Sequence, residues 1–168
     1  PVEGTSLVEF RGQGVIDTSL RIVLSVLHDN KRKTEWMESC VENRVLHHFA
    51  PGKVVVYNRT GSPFPLVSDR DVVVATRITI RPEERLVRVD GRNVDDELAP
   101  PVDGVVRMPR LLMSIELVGL SKTTTRITYQ VQADPGGALP LWIVNRGNRR
   151  LPYRTISKMR EQVKRRPV

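Results

Sequence analysis

Between Thr125 and Asp134 apolar and polar residues alternate without a slip. Thr125, Ile127, Tyr129, Val131 and Ala133 hold one parity, and Arg126, Thr128, Gln130 and Gln132 hold the other. A period of two marks a strand with one face buried and one in water, the usual arrangement in an antiparallel sheet. The same pattern recurs upstream. Residues 72–80 read as a strand, 85–90 as its partner across the turn Arg81-Pro82-Glu83-Glu84, and 105–118 as a third strand carrying Leu111, Met113, Ile115 and Leu117 on one face. Residues 6–17, 40–49 and 53–58 add further strands, the last two separated by the turn signal Pro51-Gly52. A sheet with one apolar face needs a cover. Two short helices near the start are too small to supply it. One follows the capping candidates Asp17, Thr18 and Ser19 and carries the stripe Leu20, Val23, Leu24, Leu27; the other bears Trp36.

The cover that remains is the C-terminal segment. On a helical wheel Leu141, Val144, Asn148, Leu151, Thr155, Met159 and Val163 form one stripe. Arg146, Arg149, Arg150, Arg154, Lys158, Arg160 and Lys164 take the other side. Pro152 interrupts this helix and predicts a kink, because it removes the bond to the Asn148 carbonyl. The expected fold is therefore α+β: one domain over residues 1–168, a curved antiparallel β-sheet wrapped around a long C-terminal α-helix, with two short helices near the N-terminus and an apolar space between sheet and helix.

Charge sharpens this reading. The net charge of +8 resides entirely in residues 146–168, while the rest of the chain is neutral. A neutral body with one basic helix face fits a solvated surface or an anionic membrane contact. It does not fit nucleic acid, since Tyr153 alone interleaves the arginines. No run approaches the ~20 apolar residues of a membrane span, and no signal peptide is visible. A soluble monomer, cytoplasmic or periplasmic, is expected. The single cysteine, Cys40, excludes an internal disulfide and reads as a small buried hydrophobe.

Little in the chain points to chemistry. His47 and His48 occupy successive strand positions and face opposite ways, which is poor geometry for a shared metal. No Ser/His/Asp set, phosphate loop or paired carboxylates stand out. No catalytic residue, metal or cofactor is expected. Asn58-Arg59-Thr60 fits a glycosylation sequon.

Several polar residues fall on the face expected to bury. Arg70 shares parity with Val72, Val74, Thr76 and Ile78. It either reaches the end of the apolar space or forms an ion-pair network with Asp69 and Asp71 where the strand joins the sheet. Arg107 shares parity with Leu111, Met113 and Ile115. It points inward, toward a carboxylate or a ligand head group, provided Pro109 introduces no bulge. Asn148 and Thr155 interrupt the apolar helix stripe, as polar groups that orient a ligand do, and Asn148 can equally satisfy the helix around Pro152. Met113 and Met159 suit either a core or an irregular ligand wall.

Five stretches taken together resemble the START lipid-binding domains, within the helix-grip superfamily of birch-pollen-allergen-like proteins. They are LHDNKRKTEW (27–36), VVVYNRTGSPFPLVSDRDVV (54–73), GVVR (104–107), TRITYQVQADPGGALPLWIVN (125–145) and the closing helix. The resemblance covers essentially the whole chain and implies a further helix and strand ahead of Pro1. It implies a tunnel holding one lipid, sterol or other apolar molecule, gated by the loop Asp134-Pro135-Gly136-Gly137 and the last helix, with no catalytic residues. Walls of Trp36, Val74, Val89, Leu111, Met113, Tyr129, Val131, Val144 and Met159 would desolvate the ligand, each buried CH₂ contributing ~0.8 kcal/mol. In the family a buried acid and arginine often meet the ligand's head. Those positions fall near Tyr57 and Thr76, so that a neutral hydroxyl pair would replace them. The same superfamily contains cyclases and aromatases acting on polyketide-like substrates, an alternative that would need an acid or base such as Tyr57 in the cavity.

Overall fold

Hairpins, rather than crossovers, join most of the strands, so nearly all pairing is antiparallel. The computed structural model describes residues 9–62 and 66–165, apart from the side chains of residues 141 and 148. Its strands are β1 (Phe10–Ile16), β2 (Cys40–Ala50), β3 (Lys53–Thr60), β4 (Arg70–Arg81), β5 (Leu86–Asn93), β6 (Val106–Arg107), β7 (Arg110–Gly119) and β8 (Thr125–Asp134). They form one curved sheet in the order β1-β8-β7-β5-β4-β3-β2, with the two-residue β6 added in parallel to β4.

The helices are α1 (Leu20–His28), α2 (Lys33–Trp36), preceded by a 3₁₀ turn at Asn30–Arg32, and α3 (Leu141–Lys164). Ser19 caps α1 by accepting from the Ile22 amide. α3 packs against β1 and β8 and against both short helices. Its approach to β1 depends on glycine. A Cβ on Gly12 would lie 2.7 Å from Cβ of Pro152, and one on Gly14 would meet Ile156 and Arg160. Pro152 thus sits buried on the sheet side of a helix that continues through it.

The main core lies between sheet and helices. It joins Ile16, Val23, Val26 and Trp36 to Val56, Val74, Val89, Leu117, Ile127, Tyr129, Val131, Ile156 and Met159. A second, smaller core of Val55, Tyr57, Val73 and Ala99 occupies the other face of β3 and β4.

Two strand expectations need correction. Residues 105–118 are not one strand: the chain breaks at Met108-Pro109, since proline cannot continue the ladder. Asn93 bridges the break, its Nδ2 donating to the Pro109 carbonyl and its Oδ1 accepting from the Leu111 amide. The second parity of β8 is not uniformly wet either. Thr128 and Gln132 are buried, Thr128 between its cross-strand neighbours Gln13 and Glu116.

Candidate ligand site

Cross-strand register builds the concave wall in rows. Val54, Thr76, Gly91, Met113 and Val131 are successive partners across β3, β4, β5, β7 and β8. The next row runs Ile78, Val89, Ile115, Tyr129. Gly91 shapes the wall: the Met113 side chain lies over it, 2.9 Å from where a Cβ would stand. From the helix side, Val144, Ile156, Met159 and Val163 are buried. Nine of the expected site residues therefore sit on or against this face: Trp36, Val74, Thr76, Val89, Leu111, Met113, Tyr129, Val131 and Met159. Val144 is buried but stands outside the main core. The side chain of Asn148 lies outside the described residues. Burial among apolar groups pushes the Tyr129 phenol well above its ordinary value. Thr76 spends its hydroxyl hydrogen on the Val54 carbonyl at 3.2 Å. Among the described residues neither Trp36 Nε1 nor Thr155 Oγ1 has a hydrogen-bond partner.

Tyr57 and Arg107 do not face this wall. The alternation of β3 places Tyr57 with Val55, in the smaller core. Its hydroxyl bonds Asp71, and burial together with that carboxylate pushes its pKa up to about 12. The strand break at Met108-Pro109 ends the parity carried from Leu111, and β6 pairs with β4 instead, so Arg107 turns to the same outer face. There it grips Asp71 in a fork, Nε to Oδ1 at 2.7 Å and Nη2 to Oδ2 at 3.0 Å, and donates to the Ala99 carbonyl. Asp71 is 1% exposed. Burial opposes its ionisation, but the bonds from Arg107 and Tyr57 outweigh that and hold the carboxyl below its usual range. Asp69 is likewise engaged, accepting from Arg59 Nε at 2.8 Å and from the Ser62 amide.

Arg70 keeps the parity expected of it and reaches the rim of the wall. Its guanidinium donates to the carbonyls of Ser68, Pro135 and Gly136, tying the start of β4 to the loop that leads into α3. That loop turns on two glycines with φ of 66° and 73°, values that other residues rarely adopt.

Two features escaped the sequence reading. Lys33 sits against Trp36 with its Nζ 4.9 Å from the ring and donates to the Leu27 carbonyl. Burial lowers its pKa to about 8. The i, i+3 spacing of Lys33 to the buried Trp36 was the available signal. The second lies on α3. Arg154 and Lys158 both pair with Glu38, and Arg160 donates to the Val15 carbonyl, so much of the basic face is spoken for. The half that stays open carries Arg146, Arg149 and Arg150 beside two exposed aromatics, Trp142 at 66% and Tyr153 at 72%. Asn58 of the sequon is buried and donates to Cys40 Sγ at 3.0 Å, which leaves its amide no room for a glycan. Among the described residues no helix is long and apolar enough to cross a membrane.

A curved antiparallel sheet gripping one long helix, with short helices at the N-terminal end, is the architecture of lipid-transfer domains of the helix-grip class. The START domain family model matches residues 10–165, and the chain belongs to that family. It is 28% identical to the phosphatidylcholine transfer protein of Rattus norvegicus over 152 residues, 85% of this chain and 67% of the relative. A STAR-related lipid transfer protein from Xanthomonas axonopodis superposes with a TM-score of 0.87 at 28% identity, over 98% of this chain and 90% of that one. The Zhui aromatase/cyclase from Streptomyces sp. R1128 shares the fold alone, with a TM-score of 0.66 at 12% identity over 95% of each chain.

Proposed function

We propose that this protein is a non-enzymatic carrier or sensor that encloses one lipid or sterol-like molecule between its concave sheet and α3, and exchanges that molecule at membranes. The observation that carries the reading is the wall itself: rows of Val, Ile and Met on β3, β4, β5, β7 and β8 face Ile156, Met159 and Val163 of α3. Membership of the START family and the lipid-transfer relatives support it. Apolar contact supplies the affinity, at ~0.8 kcal/mol per buried CH₂. The open half of α3 supplies the docking surface. Trp142 and Tyr153 suit the interface between headgroups and chains, and each nearby arginine adds ~1 kcal/mol of attraction to an anionic surface.

The cyclase reading loses the residue it relied on, because the Tyr57 hydroxyl is bound to Asp71 on the other face of the sheet. Mass spectrometry of the organic extract of the purified protein tests the carrier reading directly. A stoichiometric co-purified lipid is the expected result; an empty protein that neither binds nor moves fluorescent lipids between vesicles overturns it. Docking is tested by sedimentation with anionic vesicles, where Trp142→Ala combined with Arg149→Gln should lower the bound fraction about tenfold.

A further inference from the structure

The convex face of the sheet holds a cluster that the carrier reading does not use. Register places Lys53 of β3 directly opposite Arg77 of β4. Ala75 of β4 stands opposite Arg92 of β5, which makes Arg92 the diagonal neighbour of Arg77. These three cations, from three adjacent strands, line a groove of about 630 Å³. Its apolar wall comes from Val55, Ala75 and Leu112, with Phe49 at the rim. Two acids also reach the groove, and both are occupied. Asp90 accepts from Arg88 Nε at 2.9 and 3.0 Å, and Glu9 accepts from Gln130 at 2.7 Å. Among the described residues no hydrogen bond or ion pair engages the side chains of Lys53, Arg77 or Arg92.

Several other cations of this face are paired. Arg107 has Asp71, Arg59 has Asp69, Arg44 has Glu42 and His47 has Asp96. Like charges directly opposed across a sheet destabilise it. Arg77 also faces Asp90 across β5, but the Asp90 carboxylate is bonded to Arg88, so the three cations are left without a bonded acid and a bound anion is favourable there. Neighbouring strands lie ~4.8 Å apart and diagonal neighbours ~7–8 Å apart, within reach for three long side chains to close on one small group. Two of them offer planar forks suited to a tetrahedral oxyanion. A carboxylate presents two oxygens and one charge, whereas a phosphomonoester presents three and nearly two charges at neutral pH. The apolar wall beside the cations takes the rest of such a ligand.

We infer that this groove is a binding site for a soluble phosphomonoester with an apolar substituent, separate from the concave lipid site. The soluble form follows from placement. Trp142 and Tyr153 belong to a helix packed on the opposite face of the sheet, so a membrane docked there does not meet the groove.

The test is an NMR titration of the full chain with 1-naphthyl phosphate. Arms with 1-naphthol, inorganic phosphate and phosphatidylserine vesicles run beside it. Naphthyl phosphate should shift the amides of Val55, Ala75, Arg92 and Leu112 and bind at least tenfold more tightly than either fragment. Arg77→Gln with Arg92→Gln should weaken that binding at least tenfold and leave the co-purified lipid unchanged. Both side chains are exposed, so the fold should tolerate the change. Shifts confined to concave residues, or equal affinity in the double variant, overturn the site. Loss of vesicle binding in that variant without loss of naphthyl phosphate binding overturns it in favour of a membrane contact. Inorganic phosphate binding as tightly as the naphthyl ester overturns the role of the apolar wall.

Discussion

The two faces of one sheet meet the same problem, burial of strand side chains, by opposite means. On the concave face β4 presents Val72, Val74, Thr76 and Ile78 to the helices, and contact among apolar groups does the work. One residue out of step on the same strand, Asp71, Val73 and Ala75 face the other way. There a buried carboxylate held by an arginine fork and a tyrosine hydroxyl anchors the small core. The concave face is adaptable, because apolar walls accept ligands of many shapes. The convex face is specific, because a buried ion pair fixes one geometry and is costly to break.

Arg107→Ala is the sharpest way to break this contrast. It leaves Asp71 buried without its cation and should cost about 3–5 kcal/mol in urea unfolding, while lipid content per folded molecule stays the same. A loss below about 1 kcal/mol, or a selective loss of bound lipid, would move Arg107 back to the ligand site.

Lys33 tests the opposite end of the scale, a half-buried charge beside Trp36 on the apolar side. Its folded pKa, about 8, lies below the ordinary lysine value of 10.5, so between those values the unfolded chain binds more protons and stability rises with pH. Below pH 8 both states are charged and the full penalty persists. Lys33→Met should therefore stabilise the protein at pH 7 by roughly 1–3 kcal/mol and flatten the rise between pH 8 and 10.5. An unchanged pH profile in thermal unfolding would show that Lys33 is not desolvated.

At the rim, Arg70→Ala cuts the ties to the Pro135 and Gly136 carbonyls. Amide exchange at Gly136 and Gly137 should quicken about tenfold, the equivalent of ~1.4 kcal/mol of local opening, and lipid release should quicken with it. Exchange as slow as in the parent would detach Arg70 from the stability of that loop. The smallest effect is expected of Thr76→Val. Since the hydroxyl hydrogen is already given to the Val54 carbonyl, lipid affinity should change less than about threefold; a larger loss in a displacement titration would restore the hydroxyl as a ligand contact.

Period and stripe carried most of the fold. The alternation of β8 and the wheel of α3 name their own buried faces, and the resemblance of five motifs to START domains supplied the topology that joins them. The apolar wall residues were legible for the same reason, as parity within one unbroken strand decides which way each side chain points. The polar residues were not. Shared parity with Leu111 points Arg107 inward, and the strand break at Pro109, which hands β6 to β4, turns it outward. Tyr57 was placed by analogy with relatives, and its own strand register puts it with Val55 on the outer face.

Sequence by itself determined the class of this protein: hydrophobic periodicity is a local property, and local order fixes which elements form and which face each buries. Only the tertiary structure decided where the charges go. Asp69 turned out to belong to Arg59, Asp71 to Arg107 and Tyr57, Glu38 to the basic helix, and Arg70 to a loop 65 residues away in the chain. Such pairings depend on strand order and register, and a single strand break changes them, so no spacing along the chain could have announced them.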